Sequence, residues 1–199
     1  TYAMDQPHLI AKQLEMLYHF HPAIDIEEEK YGNAILSRYP IDYVAAKKLP
    51  SLMNKYHHEP RGALWVSVKI HHSTLNIIST HLGLNQLEAC QQARNLISED
   101  WLTHPQCQGP VILCGDFNSS PRSSCWKILN RKLKDAQLKI HPKKHRATWF
   151  SQFPVRSIDH VFVSPEIEVV GIQVPRTHLD RQASDHLPLI MDFRIQKIR

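Results

Sequence analysis

Two polar side chains directly follow an apolar run near the middle of the chain. Val111 to Cys114 has the length and β-branched character of a strand buried on both faces. Gly115 ends the run, and Asp116 and Asn118 follow two residues apart. If the chain stays extended there, both side chains project to one side and form a rigidly mounted catalytic pair. The alternative is an Asx turn, in which both side chains only bond the local backbone.

Three further predicted strands carry reactive side chains at one end. His81 closes one strand, Asp159 lies early in another, and Asp185 with His186 introduces the last. Each alone is unremarkable, because a single histidine at a strand end is commonly structural and Asp185 could simply be part of a turn before Pro188. Asp159 is less ordinary, because a carboxylate next to an apolar run needs a partner when it is buried.

Together these residue types support one coherent chemistry. Carboxylates and a neutral amide suit a hard cation such as Mg²⁺, which uses few protein ligands together with substrate phosphate. Histidines near a phosphate can donate to its oxygens or take a proton from water. A carboxylate bonded to an imidazole fixes the tautomer of the ring and stabilises its charged form. The combination predicts metal-assisted attack of water on phosphorus.

Helices and antiparallel strands must position these side chains. We predict a helix capped by Asp5 and running to about Phe20, with Ile10, Leu14 and Leu17 in the core. Further helices are predicted after Asn85 and, with Ser120 as its cap, at residues 121–133. Strands are predicted at residues 31–38, 64–70, 74–80, 111–114, 157–164, 167–174 and 187–195, with loops at 25–29 and 47–62. This pattern indicates an α+β sandwich in which helices cover the sheets.

Composition narrows the class of protein. The 199 residues form one domain by length, and no apolar stretch is long enough to cross a bilayer. A net charge of +5 favours an anionic partner such as nucleic acid, phosphorylated lipid or nucleotide. The four cysteines form no C-x-x-C pair and favour a reducing, cytoplasmic location. His141 and His145 have the i, i+4 spacing of zinc ligands, but Pro142 argues against a helix there, so we exclude zinc.

Four motifs occur in the order found in the endonuclease/exonuclease/phosphatase superfamily, which this chain resembles from about residue 30 to 195. They are Thr80-His81, Gly115-Asp116-Phe117-Asn118, Ile158-Asp159-His160-Val161-Phe162 and Ser184-Asp185-His186-x-Pro188. Residues 32–38 and 59–62 also resemble its bacterial members. The resemblance implies a four-layer sandwich of two mixed, mainly antiparallel sheets flanked by helices, with the site at one end of the sheets.

The resemblance also implies a role for each site residue. Asp116 would orient or deprotonate the attacking water, and Asn118 would bind the phosphate beside it. His186 would contact the scissile phosphate and be held by Asp159. The remaining positions are His81 as a phosphate donor, Asp185 with Asp116 as carboxylates of the Mg²⁺ or Mn²⁺ site, and Asn33 and Arg61 near the substrate phosphate.

One departure from the family pattern matters. The family also has an Asn on its first strand and a metal-binding Glu in a Gln-Glu pair, both upstream of the segment that Asp5 and Gln6 resemble. We therefore expect residues 1–199 to be an N-terminally incomplete domain that lacks strands of the sandwich and binds Mg²⁺ weakly. The predicted function is Mg²⁺-dependent hydrolysis of a phosphodiester such as nucleic acid or phospholipid. The alternatives are a phosphomonoesterase acting on lipid or inositol headgroups, and an inactive binding module.

Overall fold

The computed structural model describes residues 5–26, 29–52 and 59–196. This part of the chain contains ten strands and five helices. Their order is α1 Gln6–Leu14, β1 Leu17–Ile26, β2 Glu29–Ser37, β3 Ile41–Lys48, β4 Gly62–Ile70, β5 Ser73–His81, α2 Gln86–Leu96, β6 Val111–Asp116, α3 Ser124–Lys132, β7 Lys134–Asp135, α4 Ala136–Ile140, β8 Asp159–Val163, β9 Ile167–Gln173, α5 His178–Ala183 and β10 Ile190–Ile195.

A six-stranded sheet forms the centre of the fold. Its strand order is β3-β4-β5-β6-β8-β7, and two smaller sheets, β1-β2 and β9-β10, accompany it. Every neighbouring pair in the large sheet is antiparallel except β5-β6. A parallel pair requires a crossover connection, which contains α2. The prediction of an α+β fold with mixed and antiparallel sheets flanked by helices is confirmed.

Helices α2 and α3 cover one face of the large sheet. Trp65 of β4 and Leu113 of β6 point to this side and are almost fully buried. They pack with Ala93 of α2 and Leu129 of α3 in one apolar cluster. This layer buries one apolar face of the strands that lead to the site.

The two small sheets cover the opposite face. Leu64 and Val66 of β4 pack with Ile35 of β2, whereas Ile112 of β6 packs with Ile167 of β9. Successive residues of β4 and β6 therefore enter different apolar layers. The predicted half-buried strand at residues 64–70 is buried on both faces at its start, because helices α2 and α3 cover the Trp65 side that the pattern left to solvent.

The predicted first helix is too long. The side chain of Asp5 caps α1 as expected, but the helix ends where Glu15 takes a left-handed conformation at φ 53°. From Leu17 the chain is a strand that pairs with β2, as the aromatic residues at 18 and 20 favour. The predicted core residues Ile10, Leu14 and Leu17 are 48%, 47% and 55% exposed.

Other element boundaries also differ from the predictions. Strand β3 was not predicted, and the predicted acidic loop is largely taken up by the pairing of β1 with β2. Helix α3 starts at Ser124, capped by Ser123 rather than Ser120, because Arg122 has a φ of 70° that ends any helix before it. Strand β10 starts at Ile190, so His186 lies in the segment before it. Residues 53–58 of the predicted loop lie outside the described residues.

A buried polar network joins the elements behind the site. The Oδ2 atom of Asp135 accepts hydrogen bonds from Trp126 at 2.7 Å, His160 at 2.8 Å and His145 at 3.2 Å. The other ring nitrogen of His160 faces the Ser119 carbonyl at 2.9 Å, so the doubly protonated ring satisfies both contacts. Burial alone would raise the pKa of Asp135, but the hydrogen bonds outweigh it and hold the pKa below its ordinary value of 3.8.

We predict that Asp135→Asn lowers the free energy of unfolding by roughly 3 kcal/mol, because it leaves a buried imidazole without its counter-charge. A carboxyl group whose pKa is lowered by folding stabilises the fold at pH values above its pKa in the unfolded chain. This stabilisation is lost as the pH falls toward and through the pKa of the folded state. The difference in free energy of unfolding between the wild type and Asp135→Asn should therefore be largest at neutral pH and shrink below about pH 4. Urea unfolding at several pH values measures it.

The matched control is Asp42→Asn, which removes an exposed carboxylate that pairs with Lys69 at 2.8 Å. This substitution should change the free energy of unfolding by less than about 0.5 kcal/mol at every pH. Equal and small effects of the two substitutions would show that the buried network does not stabilise the fold.

Candidate active site

The register of three neighbouring strands brings three predicted site residues together. His81, the last residue of β5, is the pairing partner of Asp116 in the parallel β5-β6 ladder. Asp116 is in turn the partner of Asp159 in the antiparallel β6-β8 ladder. The three side chains therefore come from consecutive strands at the same level of the sheet, and backbone hydrogen bonds fix their spacing.

The local backbone conformation orients the side chains of Asp116 and Asn118. Gly115 has a φ of 143°, and a Cβ atom there would collide with the carbonyl oxygen of Thr80. Glycine therefore lets β6 approach β5 directly before Asp116. Asn118 has a φ of 46°, a left-handed conformation that asparagine tolerates, and its N–H donates to Asp116 Oδ1 at 2.8 Å. The Asx-turn bond is present, and Asp116 Oδ2 still faces the other site residues.

The contacts of His81 determine its tautomer. Its Nδ1 lies 3.1 Å from Arg61 Nη1 and 3.3 Å from the Tyr31 hydroxyl. A guanidinium only donates, so Nδ1 accepts and the ring proton lies on Nε2. Nε2 is 3.3 Å from Asp116 Oδ2. Asn118 Nδ2 lies 3.2 Å from the same nitrogen and donates to the Leu82 carbonyl at 2.8 Å.

Asp116 is an ionised carboxylate with a partly open face. Burial alone would raise its pKa, but hydrogen bonds from His81 and the Asn118 N–H, together with the charge of His186, hold the pKa below its ordinary value. Its Oδ2 atom lies 3.9 Å from His186 Nε2, too far for a direct hydrogen bond. An oxygen atom placed between the two groups can therefore contact both.

His186 is held by Asp159. Its Nδ1 donates to Asp159 Oδ2 at 2.8 Å, which leaves Nε2 directed toward Asp116. The hydrogen bond with Asp159 raises the pKa of His186, and the nearby charges of Asp159, Asp116 and Asp185 outweigh the opposing effect of burial. The ring is thus prepared to be a charged donor.

A segment that the sequence reasoning missed sets the position of this pair. Thr148 donates through its hydroxyl to Asp159 Oδ2 at 2.5 Å and accepts the Leu187 N–H at its carbonyl at 2.8 Å. Trp149 forms an isolated antiparallel bridge with His186. The run Ala147-Thr148-Trp149 is an apolar-aromatic signal for such pairing, but its partner lies almost 40 residues later in the chain.

The remaining predicted residues lie around this centre. The Asn33 amide donates to the Gly62 carbonyl at 2.9 Å. Arg61 is buried between His81 and Glu59, whose Oε2 is 3.0 Å from its Nη2. Both residues line a depression next to His81. Asp185 is exposed beside His186, and its Oδ1 lies 3.5 Å from the Ser184 hydroxyl.

Two groups of described residues have the donor atoms of a metal site. Asp116, Asp159 and His186 each offer one ligand atom within 4.8 Å of the others. The second group is the buried network of Asp135, His145 and His160. In the second group, both histidines already form hydrogen bonds with Asp135. The residues of the first group are partly exposed to solvent.

This arrangement of strand ends, with paired carboxylates and imidazoles, agrees with a family assignment. The model of the endonuclease/exonuclease/phosphatase family matches residues 4–186. The chain belongs to this family, as the sequence motifs predicted. Members of the family are generally phosphoesterase hydrolases that use a divalent metal. Among the described residues, no helix is long and apolar enough to cross a membrane.

One of the curated relatives is the uncharacterized protein YbhP of Escherichia coli K12. It is 28% identical over 172 residues, which cover 84% of this chain and 64% of the relative. The matched segment therefore spans somewhat less than two thirds of the length of that relative.

Several solved structures share the fold. The mannosyl-6-phosphatase Bt3783 of Bacteroides thetaiotaomicron has a TM-score of 0.74 at 19% identity, over 94% of this chain and 82% of its own. The human Nocturnin catalytic domain with bound sulfate has a TM-score of 0.68 at 20% identity, over 97% and 77%. D. rerio TDP2 complexed with single strand DNA product has a TM-score of 0.69 at 16% identity, over 94% and 80%. At these identities the likeness shows the fold alone.

We predict that Asp159→Asn lowers the pKa of His186, because the substitution removes the carboxylate that bonds its Nδ1. Asp185→Asn removes the same charge from a residue that only acts on His186 through space, so its effect should be smaller. An NMR pH titration of the ring in metal-free buffer measures both shifts. Equal shifts in the two variants, or no shift with Asp159→Asn, would contradict the pairing.

Proposed function

We propose that this protein is a Mg²⁺-dependent phosphodiesterase that hydrolyses its substrate by direct attack of water on phosphorus. The observation that supports this proposal best is the convergence of His81, Asp116 and Asp159, with His186 held across the gap from Asp116. The reaction needs an acceptor for the proton of water and donors for the phosphate oxygens, and these residues supply both.

Asp116 is the group that orients the water. Its pKa lies below the ordinary value, so it is ionised at neutral pH and can accept a hydrogen bond from the nucleophile. The N–H of Asn118 fixes Oδ1, which leaves Oδ2 to hold the water. Because a carboxylate of low pKa is a weak base, orientation contributes more than early proton removal. The proton of water moves to Asp116 as the new P–O bond forms, the P–O bond to the leaving alcohol breaks, and the leaving oxygen takes a proton from solvent.

His186, His81 and Asn118 are the groups that bind the phosphate. His186 donates from Nε2, and its charged form, stabilised by Asp159, compensates the negative charge that grows on the phosphate oxygens. His81 donates from Nε2 because Arg61 requires its Nδ1 to accept. The Asn118 amide lies beside His81 at 3.2 Å and adds a neutral donor.

The donor set fits a hard divalent cation. Mg²⁺ is bound by one or two carboxylates together with substrate phosphate and water. Asp116 Oδ2 lies 3.9 Å from His186 Nε2, and the exposed Asp185 directly precedes His186 and acts on it through its charge. Asp116 and Asp185 would hold the ion, with Mn²⁺ as the alternative. When bound, it would neutralise phosphate charge and activate water.

The choice between a diester and a monoester depends on how much negative charge the site must accommodate. A monoester carries one more charge than a diester near neutral pH. Two carboxylates, Asp116 and Asp159, already lie within 4.8 Å of one another through their ligand atoms. We therefore favour the diester, although neighbours of the fold include both a phosphatase and a protein with a DNA product.

All four cysteines are free thiols, which fits the reducing, cytoplasmic location that we propose.

We predict that the protein hydrolyses bis(p-nitrophenyl) phosphate with Mg²⁺ faster than p-nitrophenyl phosphate, and that EDTA abolishes the activity. Asp116→Asn should lower kcat by about 10²–10⁴-fold, because the amide cannot accept the proton of water. Release of p-nitrophenolate measures both substrates.

The control is Asp192→Asn, which removes an exposed carboxylate of β10 in the separate β9-β10 sheet. It should leave kcat within about twofold of the wild type. If Asp116→Asn retains more than half of the wild-type turnover, Asp116 does not act on the water.

A further inference from the structure

A cleft beside the active site concentrates positive charge. Its polar lining includes Ser120, Arg122, Lys143, His145, Arg156 and Ser157, and we call it the basic cleft. Three cations that are well separated in the sequence, Arg122, Lys143 and Arg156, line this one concave surface.

These cations are not compensated by neighbouring carboxylates. Arg122, Lys143 and Arg156 are exposed, and no described carboxylate forms an ion pair with any of them. None of the described residues that line the cleft is acidic. Asp135 lies beneath it, but this carboxylate is fully buried and already bonded by two imidazoles. Unpaired cations in a concave surface raise the local concentration of anions.

The basic cleft shares its walls with the active site. Ser120 follows Asn118 by two residues. The guanidinium of Arg156, another lining residue, lies over the ring of Trp149 at 5.6 Å from its centroid, and the Arg156 carbonyl accepts the Trp149 N–H at 2.9 Å. Trp149 itself pairs with His186. The segment that positions His186 is therefore also a wall of the cleft.

We propose that the basic cleft binds a second phosphate group of the substrate while the scissile phosphate contacts His186. The inference rests on the proposed function for the position of the scissile group. Arg122 and Arg156 both line the cleft, and Lys143 contributes a third cation. Charge-assisted hydrogen bonds from such groups are strong and select a ligand that carries an additional phosphate.

Two kinds of substrate carry a second phosphate at short range. One is a nucleotide chain, whose next backbone phosphate follows the scissile one, and the other is an inositol headgroup with a ring phosphate. Both would be recognised by the same chemistry, so matched pairs of small ligands can distinguish them. The pairs are thymidine 5′-monophosphate with thymidine 3′,5′-bisphosphate, and inositol 1-phosphate with inositol 1,4-bisphosphate.

Isothermal titration calorimetry at fixed ionic strength, with Mg²⁺ present, tests the proposal without relying on turnover. In at least one pair, the bisphosphate should bind about tenfold more tightly than the monophosphate. The double variant Arg122→Gln/Lys143→Gln should remove this preference and leave the affinity for the monophosphate unchanged. The pair that shows the preference identifies the kind of substrate, and Arg122→Lys/Lys143→Arg should retain it.

The matched control is Lys127→Gln/Arg131→Gln, which removes the same charge from exposed positions of α3 outside the cleft lining. It should preserve the preference for the bisphosphate. Equal affinities within both pairs, or equal loss in the two double variants, would overturn the proposal. Hydrolysis of bis(p-nitrophenyl) phosphate, which carries one phosphate, reports separately on the proposed function, so the two failures are distinguishable.

Discussion

The candidate active site depends on the pairing of β6 with strands of opposite direction on its two sides. The parallel ladder with β5 sets His81 beside Asp116, and the antiparallel ladder with β8 sets Asp159 on the other side. A slip of one residue in either ladder would turn these side chains to the opposite face of the sheet. The apolar layers on both faces of β6 fix this register, because Leu113 and Ile112 are committed to different clusters.

This constraint explains how a small number of residues forms an ordered site. His81 is fixed by Arg61 from behind and His186 by Asp159, so each imidazole keeps one nitrogen for the reaction. Asp159 is held in turn by Thr148. Supporting contacts of this kind hold the side chains in position, so that they reorganise less when the phosphate binds. In the buried Asp135 network, His160 bonds the carbonyl of Ser119, the residue after Asn118. The network therefore also stabilises the loop that carries Asn118.

The residues at the strand ends could be predicted because short motifs encode them locally. An apolar run followed by Gly115, Asp116 and Asn118 indicates both the strand and the point at which it ends. The contribution of Thr148 could not be predicted, because it depends on pairing with a segment almost 40 residues away. The first helix was predicted too long, because Leu17 continues the apolar spacing of the helix, whereas strand β2 supplies a pairing partner that overrides it. The basic residues were visible as composition, but only the fold shows that Arg122 and Arg156 face one cleft.

The most direct test of the account is hydrolysis of a phosphodiester in ¹⁸O-labelled water, followed by mass spectrometry of both products. If Asp116 and His186 direct a water molecule onto phosphorus, one labelled oxygen enters the phosphate product and none enters the alcohol. A single turnover with enzyme in excess should give the same labelling, because the new oxygen comes from water and not from a side chain. Label in the alcohol, or unlabelled phosphate from the first turnover, would contradict the account.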